Sequence, residues 1–188
     1  MKTSDVTKLL KTLGWSVHID EVGDRFAIWK LPDRKVRIIY GVRNLSDGQQ
    51  LDGTLSTSPE TFSEAYKFID DCGSNYASLI VKRSGWKVRT PEIIETHVRQ
   101  ASADIISWAK EQNLDAALKE KAALPTAAPG TGPLLHLAAL AVLSDIDRLK
   151  YYQASFAAGD RLGFVPYITK DYIDRAVDFA KKYRKSRK

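Results

Sequence analysis

Alternation of apolar and polar residues dominates the chain from position 15 to position 57, and no other feature constrains the fold as strongly. The alternation falls into three clear runs and a weaker fourth, namely WSVHIDE, RFAIWKL, KVRIIYGV and a polar run at 50–57. Turn-forming residues separate these runs, at 22–24, 32–33 and 47–48. Because such short connections join antiparallel neighbours, the sequence predicts an antiparallel meander of strands.

The segments before and after the meander have the apolar periodicity of helices. Apolar stripes predict helices at 4–13, 58–71, 91–109, 114–123, 134–158 and 169–183. The residues YASLIVKR at 76–83 predict a fifth strand, and the segment around Gly85 adds a sixth candidate. The predicted fold class is therefore α+β, an antiparallel meander sheet with flanking helices, followed by a helical C-terminal lobe. We divide the chain into a sheet subdomain at 1–90 and a helical lobe at 91–188, within one compact unit.

Several of these predicted boundaries depend on turn and capping residues. The sequences SPE at 58–60 and TPE at 90–92 each place a capping residue, a proline and an acid at the start of a helix. The helix predicted over 134–158 contains no internal breaker, since the next glycine is Gly159. The preceding residues, LPTAAPGTGP at 124–133, exclude regular structure, and both a linker and a mobile lid are open interpretations.

All of the excess positive charge lies in the last eight residues, which we call the basic tail (181–188). The chain has 29 Lys and Arg against 23 Asp and Glu, a net charge of +6. Six cations account for this excess, namely Lys181, Lys182, Arg184, Lys185, Arg187 and Lys188. Because the rest of the chain is charge-balanced, only the basic tail predicts attraction to an anionic partner.

Three interpretations of the basic tail follow from its charge. Cations suit the negative end of a helix dipole, so the tail can be a solvated helix end. It can also contact the phosphate backbone of a nucleic acid, where Tyr183 offers a single stacking surface. The third interpretation is docking to an acidic protein. The six cations are therefore the candidate partner-binding residues.

Cysteine content and apolar run length exclude several protein classes. Cys72 is the only cysteine, which rules out an intrachain disulfide and a zinc site built on several thiolates. The longest apolar run, at 134–143, is too short for a membrane span. No stretch near position 1 has the length of an apolar signal sequence. These observations predict a cytoplasmic protein without a membrane span.

The residues that could support catalysis do not form a recognisable set. Nucleophilic catalysis needs a base that reaches a nucleophile, and the three histidines are His18, His97 and His136. His18 is predicted on the polar side of its strand, His97 beside a buried helical stripe and His136 in an apolar run. No histidine or cysteine spacing typical of metal sites is present, and no phosphate-binding loop follows the glycines at 130 and 132. We therefore assign no catalytic residue, no metal and no cofactor.

The element order over residues 4–112 resembles that of the bacterial type III secretion chaperones. The segments that carry the resemblance are Val6–Leu13, the strands at Trp15, Phe26 and Val36, the Ser58–Asp71 helix and Tyr76–Arg83. Those chaperones are small, non-catalytic dimers that wrap an effector segment around an α/β surface. The resemblance thus implies a binding role and leaves a homodimer open.

The favoured functional hypothesis is a non-catalytic protein that binds another macromolecule, most simply a protein, as a chaperone-like adaptor. Apolar strand faces and the apolar helix near 134–143 favour strand-edge pairing or a helix in a groove as the binding mode. The first alternative is nucleic-acid binding through the basic tail. The second is an enzyme whose site lies between the two lobes near the 124–133 loop, with His97 or His136 as the base.

Overall fold

The computed structural model describes residues 1–20, 23–71 and 76–186, with the side chains at all of these positions except 83–85 and 186. Its elements in chain order are α1 (Thr3–Thr12), β1 (Ser16–Ile19), β2 (Arg25–Lys30), β3 (Lys35–Leu45), β4 (Gly48–Ser58), α2 (Glu60–Asp70), β5 (Ile80–Thr90), α3 (Glu95–Glu111), α4 (Leu114–Ala122), α5 (Gly132–Leu143), α6 (Ile146–Ala157) and α7 (Lys170–Ser186). The predicted α+β class, with an antiparallel sheet and a helical C-terminal part, is confirmed.

The sheet is an antiparallel meander in the order β1-β2-β3-β4-β5. The first hairpins connect strands that are consecutive in the chain, whereas β5 returns to pair with β4 after α2. In the β2–β3 pair, Ala27 lies opposite Ile38 and Trp29 opposite Val36, so these apolar residues share one face. β1 and β5 are the two edges of the sheet.

The packing divides the chain into two compact units. Residues 1–57 and 80–112 form a sheet unit, and residues 58–79 and 113–188 form a helical unit. This grouping differs from a linear division at residue 90, because α2 packs with α5 and α7 while α3 packs with α1 and β5. An apolar stripe specifies that a helix is covered on one side, but not which later segment of the chain covers it.

In the sheet unit, α1 and α3 bury one face of the sheet. The helices contribute Val6, Leu10 and Ile105 to the same core as Ala27 and Ile38 of the sheet, all of them almost completely buried. Burial of a branched aliphatic side chain contributes about 1.5–3 kcal/mol to the folded state. The core therefore fixes which face of the meander is inward and leaves the opposite face outside it.

Two side chains fasten α3 to the sheet. The indole N–H of Trp15 donates to the hydroxyl of Ser102 over 2.8 Å. At the C-terminal end of α3, the Arg34 guanidinium donates to the carbonyl oxygens of Ala109 and Gln112, at 2.6 and 2.8 Å. Carbonyl groups of a last helical turn lack intrahelical partners, so this arginine satisfies acceptors that the helix itself leaves open.

In the helical unit, α5 is the central helix. Its sequence GPLLHLAALAVL is apolar on almost every side, as expected for a helix that is surrounded. It packs against α2, α4, α6 and α7, and Leu137 and Leu140 have essentially no exposed surface. No helix in the described part of the chain is both long enough and apolar enough to cross a membrane.

The single helix expected over 134–158 is wrong, because the chain forms α5 and α6 with a break between them. Ser144 takes a left-handed conformation with φ of 57° and ends α5. The Asp145 carboxylate then accepts a hydrogen bond from the backbone N–H of Arg148 and begins α6. Serine and aspartate make such a break without glycine, since a short polar side chain can replace the lost backbone hydrogen bond.

Three other boundaries also differ from the prediction. Ser58 ends β4 and does not cap α2, whose N-cap is Pro59. α3 begins at Glu95, several residues after the proline at 91. The two strand candidates at 76–83 and around 85 form one strand, β5, which begins at Ile80. Cys72, predicted at a helix end, lies outside the described residues.

Candidate functional site

The described part of the basic tail is helical. α7 continues to Ser186, and Lys181, Lys182, Arg184 and Lys185 are exposed along it. Lys181 lies 4.0 Å from the carboxylate of Asp178, a distance that leaves its charge largely uncompensated in water. Arg187 and Lys188 lie outside the described residues. The structure thus places four predicted partner-binding cations on one exposed helix end.

An aromatic row borders this helix end, and the sequence predicts only its last member, Tyr183, as a stacking surface. The ring of Phe68 on α2 lies 5.9 Å from that of Phe179 on α7, and Phe179 stacks on Tyr183 at 6.0 Å. Phe68 keeps 46% of its surface exposed. The row joins two helices that are far apart in sequence, so only the packing of α2 against α7 reveals it.

Two of the three histidines occupy surface positions in the sheet unit. His18 is exposed and stacks on Phe26, with ring centroids 5.2 Å apart. His97 is half-buried in the first turn of α3, where its Nδ1 accepts a hydrogen bond from the backbone N–H of Ile94. Each imidazole therefore has a structural partner on its own or a neighbouring element.

His136 is completely buried in α5 and belongs to a chain of hydrogen bonds that we call the His136 network. Its Nδ1 donates to the carbonyl oxygen of Lys121 at 3.3 Å, and its Nε2 accepts from the Tyr152 hydroxyl at 3.1 Å. Arg148 donates to that hydroxyl at 2.8 Å and to the Ala122 carbonyl oxygen at 3.1 Å. These directions follow because a guanidinium only donates and a carbonyl only accepts.

The environment of His136 favours a neutral imidazole. Burial and the nearby Arg148 charge lower its pKa from 6.5 to about 4. Both ring nitrogens already have protein partners, so neither is available to a substrate as a base. The predicted irregular segment 124–133 is wrong at its last two residues, because α5 already begins at Gly132. The loop before α5 is held within the helical unit, since Thr126 donates to the Leu162 carbonyl oxygen and the Tyr167 hydroxyl donates to the carbonyl oxygen of Gly130.

The β5 strand is an edge strand of the sheet. It spans Ile80–Thr90, and among the described residues β4 is its only strand neighbour. Val81 is 47% exposed, and Lys82, Lys87 and Arg89 are exposed as well. An edge of this length can pair with another extended chain, and its cations oppose pairing with a second copy of itself.

A cavity of about 380 Å³ is lined by residues of β3, β4 and β5 in the sheet unit, and we call it the Trp86 cavity. Six side chains line it, those of Arg43, Gln50, Asp52, Thr54, Trp86 and Lys87. The strand register places Lys87 directly opposite Asp52. The carboxylate of Asp52 accepts hydrogen bonds from Arg43 and from the Gln50 amide, so it is already engaged.

Glycine is required at position 53 in the wall of this cavity. A Cβ there would collide with the carbonyl oxygen of Ile39 and would press on the Trp86 ring. The β4–β5 register shifts between Gly53 and Leu55, which marks an irregularity in the ladder beside the cavity. Trp86 is both a lining residue of the cavity and a member of the core, with 9% of its surface exposed.

No sequence motif indicated the Trp86 cavity. Its charged residues occupy outward positions of strands, where charged side chains are common. Among the described residues, no group of three or more histidine, cysteine, aspartate or glutamate side chains is arranged to hold a metal ion.

Comparison with known proteins yields one family. A model of DUF6990, described as a family of unknown function, matches residues 2–181. No curated protein and no solved structure matches the chain.

Proposed function

We propose, from the geometry of its sheet unit, that this chain, which belongs to the DUF6990 family, is a non-catalytic protein-binding adaptor. In this proposal, an extended segment of the partner pairs with the outer edge of β5. The observation that carries the proposal is an eleven-residue edge strand with β4 as its only described strand neighbour. Strand addition derives affinity from main-chain hydrogen bonds and specificity from alternate side chains.

Side-chain chemistry near β5 favours a protein partner. Val81 supplies an exposed apolar contact, and Lys82 and Lys87 supply charges that can select among extended segments. The histidines favour binding over catalysis, because His136 has both nitrogens occupied and His97 caps its own helix. The resemblance to type III secretion chaperones, which hold an effector segment, supports the same role.

The proposal predicts peptide binding that depends on backbone hydrogen bonds. We expect a displayed library of random peptides of about twelve residues, a length that covers β5, to yield binders against the full chain. N-methylation of alternate amides on the paired side of such a peptide should weaken binding roughly a hundredfold, since about three hydrogen bonds of about 1 kcal/mol are lost. Fluorescence anisotropy of labelled peptides measures this loss.

The matched control is the same peptide methylated on the opposite set of alternate amides, which point away from β5. Its affinity should stay close to that of the unmethylated peptide. Amide chemical-shift changes in the protein should concentrate in β5. Equal loss for both methylated series, or shift changes centred on β1, would contradict strand addition at β5.

The aromatic row favours a second candidate function, binding of single-stranded nucleic acid. The aromatic row crosses from α2 to α7 in space, in the order Phe68, Phe179 and Tyr183. Its α7 end lies beside the cations of the basic tail. Bases stack on aromatic rings whatever their sequence, and cations beside the rings neutralise the phosphates. A helix end that is only solvated does not require aromatic rings beside its cations.

We expect an oligothymidylate of roughly twenty nucleotides to bind this surface in a salt-dependent manner. Replacing Lys182 and Lys185 by glutamine should reduce the slope of log K against log salt by about 1.4, because each single-strand phosphate contact contributes about 0.7. Replacing the exposed Lys8 and Lys11 of α1 by glutamine removes the same charge elsewhere and should leave the slope unchanged. No binding at low salt, or equal effects of both double variants, would reject this second function.

A further inference from the structure

The hydrogen-bond pattern of the first hairpin shows which backbone groups of β1 point away from β2. Asp20 continues the β1–β2 register opposite Asp24 and donates its N–H to the Asp24 carbonyl oxygen at 3.0 Å. Hydrogen-bonded and non-hydrogen-bonded pairs alternate along an antiparallel ladder, so the positions bonded to β2 are those two and four residues before Asp20. The residues between them, Val17 and Ile19, therefore direct their N–H and C=O groups to the outer edge of β1.

This outer edge lacks charged side chains. Within the described residues, no group donates to or accepts from the outward N–H and C=O of Val17 and Ile19, and β2 is the only strand beside β1. The Ile19 side chain is 62% exposed, more than any other large apolar side chain of the described residues. Charged side chains commonly protect an edge strand from pairing, and β5 has Lys82, Lys87 and Arg89. β1, with the sequence SVHI, has no such protection.

We infer that β1 pairs antiparallel with β1 of a second copy of this chain, about a two-fold axis at His18. In this register Val17 of each copy lies opposite Ile19 of the other, so the outward N–H and C=O groups of both residues form hydrogen bonds. Pairing Val17 with Val17 would instead place Ile19 opposite Trp15, whose N–H already donates to the carbonyl oxygen of Leu10. The contact lies at the opposite edge of the sheet from β5, so it goes beyond the proposed function and does not depend on it.

The side chains of β1 are complementary to themselves in the same register. On one face of the sheet, Ile19 of each copy covers Val17 of the other, and directly opposite β-branched side chains stabilise a strand pair. On the other face, His18 lies opposite His18 of the second copy in a non-hydrogen-bonded pair, whose Cα atoms are about 4.5 Å apart. Each His18 stacks on Phe26, with ring centroids 5.2 Å apart, so a row of four rings crosses the axis.

Disulfide cross-linking of the full-length protein tests the register, in a Cys72→Ser background that removes the only native thiol. His18→Cys places two thiols opposite each other, within the Cα separation of about 4.4–6.8 Å that a disulfide needs. Ser16→Cys is the matched control, because Ser16 is an exposed position of the same strand that lies opposite Asp20 of the second copy. Its two copies are offset by about 13 Å along the strands, too far for a disulfide. With oxidised glutathione, His18→Cys should form covalent dimer about tenfold faster than Ser16→Cys, since pairing raises the effective concentration of its thiols alone.

Two lysine substitutions separate this contact from the peptide binding proposed for β5. Ile19→Lys changes an exposed side chain of the monomer, but in the dimer it replaces both apolar pairs with Val17. We expect the dissociation constant of the dimer to rise about tenfold. Val81→Lys makes the same change on β5, at a side chain that is 47% exposed, and should leave the dimer unchanged. Sedimentation velocity at increasing protein concentration measures both constants.

The outcomes for the two edges of the sheet are distinguishable. A native protein that sediments as a monomer at every concentration overturns the β1 contact, whether or not library peptides bind β5. A dimer that both lysine variants weaken equally, or that only Val81→Lys weakens, overturns it as well. Equal cross-linking rates for His18→Cys and Ser16→Cys refute the register. If the dimer behaves as expected while no library peptide binds β5, the β1 contact is supported and the proposed function is refuted.

Discussion

Replacing Phe62 by alanine should lower the free energy of unfolding of the helical unit by about 3–5 kcal/mol, the range observed when a buried aromatic ring is deleted. Phe62 is fully buried on α2, the helix that packs against α5 and α7. The loss combines the transfer free energy of the ring with the cavity that it leaves, since close-packed neighbours relax only partly. Such a loss is a large fraction of the stability of an ordinary domain.

Phe68→Ala is the matched control, because it removes the same ring from the same helix at a position that is 46% exposed. It loses one ring contact with Phe179, so we expect a cost below about 1 kcal/mol. Tryptophan fluorescence is unsuitable for the measurement, since Trp15, Trp29, Trp86 and Trp108 all belong to the sheet unit. Hydrogen exchange of the α5 and α7 amides reports the helical unit directly.

The same experiment distinguishes the observed grouping of elements from a division at residue 90. If α2 belongs to the helical unit, Phe62→Ala reduces protection in α5 and α7 more than in β2 and β3. The opposite order would assign α2 to the sheet. Sequence alone does not decide this question, because the stripe of α2 is equally compatible with covering a strand or a helix.

The meander was predictable because its information is local. Apolar residues at every second position specify a face, and short turns specify the neighbour, so the alternation over residues 15–45 determined β1, β2 and β3 together. The break between α5 and α6 was also local, but its signal was weaker. Ser144 and Asp145 end one helix and begin the next, while the apolar periodicity continues through Leu149 and hides the break.

The Trp86 cavity was not predictable, because it depends on a pairing between distant segments. Asp52 and Lys87 become neighbours only through the β4–β5 register, and α2 lies between these strands in the chain. The position of each charge on the outward side of its strand follows from alternation. Alternation does not specify which outward residues lie opposite each other, because long-range packing and the irregularity at Gly53 set the register.

Acidification from pH 7 to pH 4 should destabilise the folded helical unit by about 3 kcal/mol through His136 alone. The pKa of His136 is 6.5 in the unfolded reference and about 4 in the folded protein, because burial and the Arg148 charge disfavour the imidazolium. Between these values the unfolded chain binds more protons than the folded one. The contribution of His136 to the free energy of unfolding is therefore fully present above pH 6.5 and decreases as the pH falls toward 4.

Three carboxylates also couple stability to pH, but in a lower range. Hydrogen bonds from Arg34, Arg89 and Gln153 lower the pKa values of Asp33, Asp47 and Asp174, respectively, below 3.8. Their contribution is present above pH 3.8 and is lost only as the pH falls through the lowered values. A decrease in stability that is already evident between pH 6.5 and 4.5 therefore cannot come from these three groups.

His136→Gln separates the titration from the packing. Glutamine can donate and accept hydrogen bonds within the network but does not titrate, so the variant should be less stable than the native protein at pH 7 and lack the His136 component of the pH dependence. Hydrogen exchange of α5 amides between pH 7 and 4.5, corrected for the intrinsic pH dependence of exchange, measures the difference. Identical slopes in both proteins would show that the imidazole of His136 does not stay neutral in the fold. They would also remove the reason for excluding it as a base, because the assignment of Nδ1 as donor and Nε2 as acceptor depends on the neutral form.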